Sequence, residues 1–154
     1  MRIKWPNDVI IHRRKLCGIL LEMTSDPDAI ESIVVGVGVN VKRGAYPPEL
    51  SERAIALEEC CEPPLRRVLY VHYLAALERC VDRLEREGFA GIEAEYRGRS
   101  CTLGSRVNVV GSVNLTGLAE NIDDTGALLV RTDDGALHRV LSGDVSVRGV
   151  MGYV

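Results

Sequence analysis

One stretch organises the sequence: Ile33-Val34-Val35-Gly36-Val37-Gly38-Val39. Its β-branched residues fall on both faces of an extended chain, a pattern typical of a strand that is covered on both sides. Gly36 and Gly38 are two residues apart and therefore lie on the same face, where a ligand or another backbone can come close. The stretch predicts a strand with helices over one face and close packing on the other.

Polar breaks divide the chain around that stretch, residues 1–41, into extended segments. Asn7-Asp8 and Arg13-Arg14 mark turns, and residues 24–28, which contain a proline, form a loop. Between these breaks the apolar residues predict four strands, at Arg2–Trp5, Val9–His12, Leu16–Met23 and Ile33–Val41.

Helical signals occupy residues 42–98. Ser51 can cap a short helix that runs through Cys60, and Pro63-Pro64 suits the first turn of a long helix that ends at Gly88. A shorter segment continues to about residue 96. The long helix carries an amphipathic stripe with steps of four and three residues, formed by Tyr70, Leu74, Leu77, Val81 and Leu84.

Short strands return from Thr102 onward at roughly ten-residue spacing. Turn signals rich in Asp and Gly stand at 123–126, 133–135 and 142–144. Five strands with tight turns in about 50 residues predict a small, SH3-like barrel. Such a barrel is small, so we expect it to pack on the preceding domain.

Composition excludes several classes of protein. The 154 residues are 46% hydrophobic and 27% charged, which excludes a disordered or collagen-like chain. No apolar run approaches the roughly 18 residues of a membrane helix, and the first residues lack the apolar segment of a signal peptide. A net charge of −3 with a single Trp and a single Phe argues against a nucleic-acid groove. We therefore expect no membrane and no nucleic-acid partner.

The cysteines and histidines show no metal-binding pattern. The five cysteines have neither CxxC nor Cys/His spacing, which favours reduced thiols in a cytoplasmic protein. The three histidines are isolated, and Walker A, HExxH and GxSxG motifs are absent from the sequence. After Gly36-x-Gly38, Val41 stands where a dinucleotide fingerprint has its third glycine.

The densest polar cluster is Lys4-Trp5-Pro6-Asn7-Asp8, directly after a predicted strand. Lys4 brings a positive charge, Asn7 can both donate and accept hydrogen bonds, and Asp8 is a carboxylate suited to magnesium. Pro6 stiffens the segment and favours an extended Trp5. The cluster suits a nucleotide phosphate with its metal; a simple Asn-Asp turn after a strand is the alternative.

Two further polar positions stand beside predicted strands. Lys15 enters an apolar strand, where a lysine either extends its ammonium group to water or meets an anion. Asn40 ends the β-branched run, as a site residue or as an ordinary turn residue. Each position taken alone leaves both interpretations open.

Three ordered segments together resemble the biotin protein ligases, also called biotin–[acetyl-CoA-carboxylase] ligases. They are Ile3-Lys4-Trp5-Pro6-Asn7-Asp8, Lys15-Leu16-Cys17-Gly18-Ile19-Leu20-Leu21-Glu22 and Val35-Gly36-Val37-Gly38-Val39-Asn40-Val41. The family reads KWPND, then K-(L/I)-(A/G/C)-G-I-L-x-E, then G-x-G-x-N-(V/L), and residues 117–148 resemble its small barrel. Three motifs in order at fitting distances are a far stronger signal than any one of them.

The resemblance implies an α+β fold in two parts. Residues 1–100 would be the C-terminal portion of the catalytic domain, a mixed sheet with helices of the class II synthetase-like type. Residues 101–154 would be the small SH3-like β-barrel.

The resemblance also implies a reaction. The family makes biotinyl-5′-AMP from biotin and Mg-ATP, then transfers biotin to a lysine of a biotin carboxyl carrier domain, as in acetyl-CoA carboxylase or a related carboxylase. Lys15 would be catalytic, because its ammonium can contact the biotin carboxylate and the adenylate phosphate as charge develops. The remaining implied contacts are Gly18, Gly36 and Gly38 toward biotin, Lys4, Asn7, Asn40 and Arg148 toward ATP and the adenylate, and Asp8 toward Mg2+.

One family feature is missing. Upstream of KWPND, members carry a loop of GRGRxGR type that closes over biotin and ATP, whereas this sequence begins at Met1. We expect the chain alone to bind biotin weakly or not at all and to associate, as a homodimer or with another chain, through exposed strand edges and apolar faces. An interaction module without catalysis is the alternative function, and an adaptor that binds a peptide through the barrel is a third.

Overall fold

Two antiparallel sheets and two helices make up the fold in the computed structural model, which describes residues 1–26, 30–44, 46–111 and 113–147. The α+β class is therefore confirmed. Parallel pairing occurs in the described ranges as two isolated bridges, Ile3 with Ser100 and Lys15 with Ala54.

The first sheet contains four strands in chain order, β1 (Arg2–Lys4), β2 (Asp8–Ile11), β3 (Arg14–Ser25) and β4 (Ile30–Val39). All four predicted strands are present, although Asp8 and Arg14 begin strands instead of ending turns. β3 and β4 form a long hairpin in which Gly18 pairs with Gly38 and Leu20 pairs with Gly36.

Both faces of that hairpin are exposed, which corrects the prediction of a covered strand. β4 has no buried residue, and Leu20, Leu21 and Val34 keep 62%, 59% and 58% of their surfaces exposed. On the face of β4 that carries Val35, Val37 and Val39, the strand is separated from the long helix by a gap, and no described element buries the opposite face of the hairpin, which carries Leu20 and Val34. The gap forms a cavity of about 820 Å³ whose apolar lining includes Val35, Val37, Val39, Tyr70 and Tyr73.

The two helices are α1 (Arg66–Glu87) and α2 (Ala90–Arg99), separated at Gly88 and Phe89. The predicted stripe on α1 is therefore present in the sequence but not buried: neither helix has a buried residue, and Tyr70 is 61% exposed. Within the described residues, no helix is long and apolar enough to cross a membrane.

The predicted short helix from Ser51 to Cys60 is wrong. Two single 3-10 turns, Pro48–Leu50 and Leu57–Glu59, flank a buried segment at residues 54–56. That segment pairs with β3, since the Ile55 amide donates to the Lys15 carbonyl and the Lys15 amide donates to the Arg53 carbonyl. Pairing with a distant strand overrides the local helical signal.

The second sheet contains β5 (Arg106–Val110), β6 (Leu115–Ile122), β7 (Leu128–Thr132), β8 (Leu137–Val140) and β9 (Asp144–Val147). Their spatial order is β8-β7-β6-β5-β9, and the five predicted strands are confirmed. In β6 and β7 the backbones pass closely: a Cβ on Gly117 would lie 2.3 Å from the Arg131 carbonyl oxygen. The description as an SH3-like barrel and the boundary at residue 100 stay predictions.

The main hydrophobic core belongs to the second sheet. Alternate residues of its strands point inward, including Val107, Val109, Leu128 and Val130, each at most 1% exposed. Trp5 and Ile10 of the first sheet's region enter the same core. The five cysteines carry free thiols.

Candidate functional site

An ion cluster lies at the start of the first sheet. Asp8 accepts from the Lys15 ammonium at 2.6 Å through Oδ1 and from the Lys4 ammonium at 3.3 Å through Oδ2. Asp8 and Lys4 are buried, whereas the Lys15 side chain is 39% exposed. Two ammonium groups and one carboxylate leave one net positive charge, so the cluster can attract an anion at the accessible Lys15.

An irregularity in β3 orients Lys15 within this cluster. Val9 pairs with Cys17 and Ile10 pairs with Lys15, so Leu16 is left out of the register. A Cβ on Gly18 would lie 3.0 Å from both Cε and Nζ of Lys15. The lysine side chain therefore crosses directly over Gly18 toward Asp8, in space that a side chain at position 18 would occupy.

The three glycines of the candidate site share one face. Gly18 pairs with Gly38, and Gly36 is two residues away on the same strand. A Cβ on Gly36 would come no closer than 3.5 Å to described atoms, and one on Gly38 no closer than 3.9 Å. Packing within the described chain does not require glycine at these two positions. The glycine face (Gly18, Gly36 and Gly38) is therefore open to a ligand at Gly36 and Gly38, while the Lys15 side chain lies over Gly18.

The two asparagines frame β3. The Asn7 side-chain amide donates to the Ile19 carbonyl at 2.6 Å, and the Asn40 side-chain amide donates to the Lys15 carbonyl at 3.3 Å. The Asn40 backbone also donates to the Leu16 carbonyl and accepts from the Leu57 amide. Both residues therefore hold the strand that carries Lys15, next to the glycine face.

Cys17 does not supply a nucleophile. Burial raises the pKa of its thiol, against the lowering effect of the neighbouring Lys15 ammonium. A thiol with a raised pKa stays protonated near neutral pH, and the thiolate is the nucleophilic form. The chemistry of the cluster therefore belongs to its lysines and carboxylate.

The predicted residues are thus brought together, with one exception that lies outside the described residues, Arg148. Sequence reasoning missed the segment Ala54–Ala56, which fixes the Lys15 backbone; its short apolar run could not be distinguished from a helical segment. It also missed the anchoring of Trp5. The Trp5 indole donates to the Gly126 carbonyl at 3.0 Å, and its backbone amide donates to the Thr102 hydroxyl at 2.8 Å.

A magnesium ion fits this site only in company with a phosphate. Asp8 is the carboxylate of the cluster, both of its oxygens face ammonium groups, and the described residues contain no cluster of three metal-binding side chains. One carboxylate with phosphate oxygens and waters is a common way to hold Mg2+. The donor set therefore suits an ion that arrives on a nucleotide.

Two family models match the chain. The model of the "Biotin/lipoate A/B protein ligase family" matches residues 1–40, and the model of the "Biotin protein ligase C terminal domain" matches residues 102–148. The first range contains the ion cluster and the glycine face, and the second contains the five-stranded sheet.

Curated relatives match nearly all of the chain. The biotin–[acetyl-CoA-carboxylase] ligase of Mycobacterium tuberculosis is 37% identical over 147 residues, covering 93% of this chain and 52% of the relative. The bifunctional ligase/repressor BirA of Bacillus subtilis is 31% identical over 150 residues, covering 94% of this chain and 46% of the relative. The chain therefore spans about half the length of the curated relatives it matches.

Solved structures agree in fold. The apo biotin protein ligase of Aquifex aeolicus superposes with a TM-score of 0.82 at 27% identity, covering 96% of this chain and 64% of that one. The same ligase in complex with biotin and ATP gives a TM-score of 0.79 at 28% identity, covering 96% of this chain and 61% of that one.

Proposed function

Because the chain belongs to the biotin protein ligase family, we propose that it takes part in ATP-dependent biotinylation. The reaction would form biotinyl-5′-AMP and transfer biotin to a lysine of a biotin carboxyl carrier domain, in acetyl-CoA carboxylase or a related carboxylase. The observation that supports this most directly is the cationic cluster of Lys4, Asp8 and Lys15 beside an open glycine face.

Adenylation brings two anions together. A biotin carboxylate oxygen bonds to the α-phosphorus of ATP, and the bond from that phosphorus to the bridging oxygen breaks, releasing pyrophosphate. Lys15 acts here because its exposed ammonium can reduce the repulsion and stabilise the charge that develops on the phosphate. Asp8 holds that ammonium in place at 2.6 Å.

Transfer uses the same charged groups. The acceptor lysine amine attacks the acyl carbon, the bond to the phosphate oxygen breaks, and AMP leaves as the amine gives up a proton to solvent. Lys15 again stabilises the phosphate, now as the leaving group. No acid from the protein is needed, since AMP is a stable anion at neutral pH.

We also propose contacts for the remaining site residues. Gly18, Gly36 and Gly38 would form the floor on which biotin and the adenylate backbone rest, because the described chain leaves Gly36 and Gly38 open and places the Lys15 side chain over Gly18. Lys4, Asn7 and Asn40 would border the nucleotide. Arg148 stays a prediction as a nucleotide contact, and Asp8 would meet Mg2+ carried by the phosphates, directly or through water.

A second function is favoured by a separate observation. The hairpin of β3 and β4 exposes large apolar side chains on both faces, among them Leu20, Leu21, Met23 and Val34. A contiguous exposed apolar surface favours association with another polypeptide. The chain would then act as an association module, and its sedimentation at rising concentration would show a homodimer.

The test of the proposed function is adenylate formation. We would incubate the chain, the Lys15→Ala variant and Arg106→Ala with biotin, ATP and Mg2+, and quantify biotinyl-5′-AMP by mass spectrometry. Lys15→Ala should lower the rate by about 10²–10³-fold, while Arg106→Ala, which removes an exposed cation of the second sheet, should not. An unchanged rate in Lys15→Ala would remove Lys15 from the reaction.

If the unmodified chain forms no product, a binding measurement decides between two interpretations. If the chain then still binds a non-hydrolysable biotinyl-adenylate analogue, its residues form part of the site without sufficing for turnover. If it neither reacts nor binds, the association module becomes the better account.

A further inference from the structure

Trp5 and Pro6 are the two residues of the KWPND motif that the proposed reaction leaves without a role, and Trp5 is the one with contacts far along the chain. It is 3% exposed and lies in the hydrophobic core of the second sheet, although it follows β1 of the first. Its two N–H groups both donate hydrogen bonds to the C-terminal part of the chain. The backbone amide donates to the Thr102 hydroxyl, and the indole donates to the Gly126 carbonyl. The motif is therefore tied to the C-terminal part of the chain through Trp5, by both its backbone amide and its side chain.

Both acceptors are themselves held firmly. Thr102 is fully buried, and its amide donates to the Ser100 hydroxyl, while Ser100 forms a bridge with Ile3 on β1. Gly126 has a positive φ of 84° in a turn whose amides at Thr125 and Ala127 donate to the Asp123 carboxylate. Thr102 is thus held by Ser100, which bridges to the first sheet, and Gly126 is held by its own turn between β6 and β7.

The anchored residue lies within the ion cluster's own turn. Residues 5–7 connect β1 to β2, and Lys4 and Asp8 are register partners on either side of that turn. A displacement of Trp5 moves the Lys4 backbone through one peptide bond and the Asp8 backbone through the turn. Because Asp8 also holds Lys15, the displacement reaches the ammonium that faces the substrate.

We propose that Trp5 is a positioning residue through which the second sheet sets the geometry of Lys4, Asp8 and Lys15. The effect on catalysis rests on the proposed function. The coupling itself, by which the hydrogen bonds of Trp5 set the geometry of the ion cluster, does not depend on that function. A misplacement of about 1 Å at a catalytic group can cost 10²-fold in rate, so a small shift is sufficient.

The test removes one hydrogen bond at a time. Thr102→Val keeps the shape but loses the acceptor for the Trp5 amide, Thr102→Ser keeps the hydroxyl, and Trp5→Phe loses the indole donor. Thr116→Val is the control, since its exposed hydroxyl donates to Asn108 on the second sheet and has no contact with Trp5. The first readout is the 13C resonance of the Asp8 carboxyl carbon, which reports the ion cluster in the chain whether or not it turns over.

The Asp8 resonance should move in Thr102→Val and Trp5→Phe, and stay at its wild-type position in Thr102→Ser and Thr116→Val. An unmoved resonance in folded Thr102→Val would overturn the proposal, and so would equal shifts in the Ser and Val variants. If Thr102→Val does not fold, Trp5→Phe decides by the same criterion.

The second readout is adenylate formation. We expect kcat to fall about tenfold in Thr102→Val with the biotin KM changed less than about twofold, because the ammonium is misplaced while the glycine face is intact. A mere loss of stability would leave kcat per folded molecule unchanged, which would contradict the catalytic role. If the wild-type chain neither reacts nor binds the biotinyl-adenylate analogue, but the Asp8 resonance moves in Thr102→Val and Trp5→Phe, the proposed function fails and the coupling stands.

Discussion

The two sheets differ in the kind of side chain that they bury. The second sheet alternates buried and exposed residues along β5, and its inward side chains form the main core of the chain. In the first sheet, β4 has no buried residue, whereas the charged pair of Lys4 and Asp8 is buried. Stability is therefore concentrated in the second sheet, and polar chemistry in the first.

This division explains why Trp5 matters. A sheet whose hairpin has exposed apolar faces cannot hold an ion cluster in place by packing alone. The cluster instead lies next to a side chain that is anchored in the stable sheet. Matched substitutions in the two sheets should therefore have unequal effects.

Truncating one leucine in each sheet should give very different losses of stability. Leu128 is fully buried in β7, and Leu21 is 59% exposed in β3. Leu128→Ala should lower the free energy of unfolding by about 2–5 kcal/mol, whereas Leu21→Ala should change it by less than about 0.5 kcal/mol. Urea unfolding measures both. A large loss in Leu21→Ala would mean that a second chain covers the hairpin in solution.

Adding one methyl group to a glycine in each sheet should separate stability from binding. Gly117→Ala places a Cβ 2.3 Å from the Arg131 carbonyl oxygen, so we expect a loss of about 1–3 kcal/mol. Gly38→Ala meets described atoms only at 3.9 Å and should leave stability unchanged or raise it by up to about 1 kcal/mol.

On the glycine face that methyl group should instead hinder the ligand. We expect Gly38→Ala to weaken binding of a biotinyl-adenylate analogue by about tenfold, or about 1.4 kcal/mol, measured by calorimetry. Full affinity in a folded Gly38→Ala variant would show that the ligand does not rest on this face.

Neutralising a carboxylate should cost more in the cluster than on the surface. Asp8→Asn leaves Lys4 and Lys15 near each other without their shared counter-ion, at a cost of about 1–2 kcal/mol, moderated by the exposure of Lys15. Asp133→Asn neutralises the exposed partner of Arg106, where solvent screens the pair, and should change stability much less than Asp8→Asn does. Equal effects in thermal unfolding would show that the cluster is no more than a surface ion pair.

The smallest expected effect is on the melting temperature at acid pH. The Arg139 guanidinium, with the Thr125 hydroxyl, holds the pKa of Asp123 well below its usual range. A lowered folded pKa contributes stability that is complete above the ordinary carboxyl pKa of about 4 and is lost as the pH falls. Between pH 6 and pH 3, therefore, the wild-type melting temperature should fall more than that of Asp123→Asn. Parallel curves for the two proteins would contradict this, and Asp124→Asn serves as control.

The sequence predicted most of the secondary structure, because the relevant signals are local. Glycine and proline bound the long helix, and apolar segments between polar breaks or turns mark the strands of both sheets. Residues 54–56 were misassigned because their extended conformation depends on pairing with Lys15, about 40 positions away. Exposure of β4 was also missed, since β-branched residues on two faces indicate two covering layers but not whether the described chain supplies them.

The site was predicted by composition and resemblance, but not its geometry. Lys15 and Asp8 were both candidates, yet their ion pair depends on the register irregularity at Leu16, which has no local sequence signal. The contact between Trp5 and Thr102 spans 97 positions and could not be read from spacing. Long-range hydrogen bonds of this kind depend on tertiary structure alone.

The glycines of the two sheets offer the most direct measurement of where the ligand binds. We would record 15N–1H correlation spectra of the chain during titration with a non-hydrolysable biotinyl-adenylate analogue. The amide resonances of Gly18, Gly36 and Gly38 should shift with the ligand, while those of Gly117 and Gly135 in the second sheet should remain in place. Shifts confined to the second sheet would contradict a binding face on the first sheet. So would the absence of any shift at a ligand concentration that saturates a related ligase.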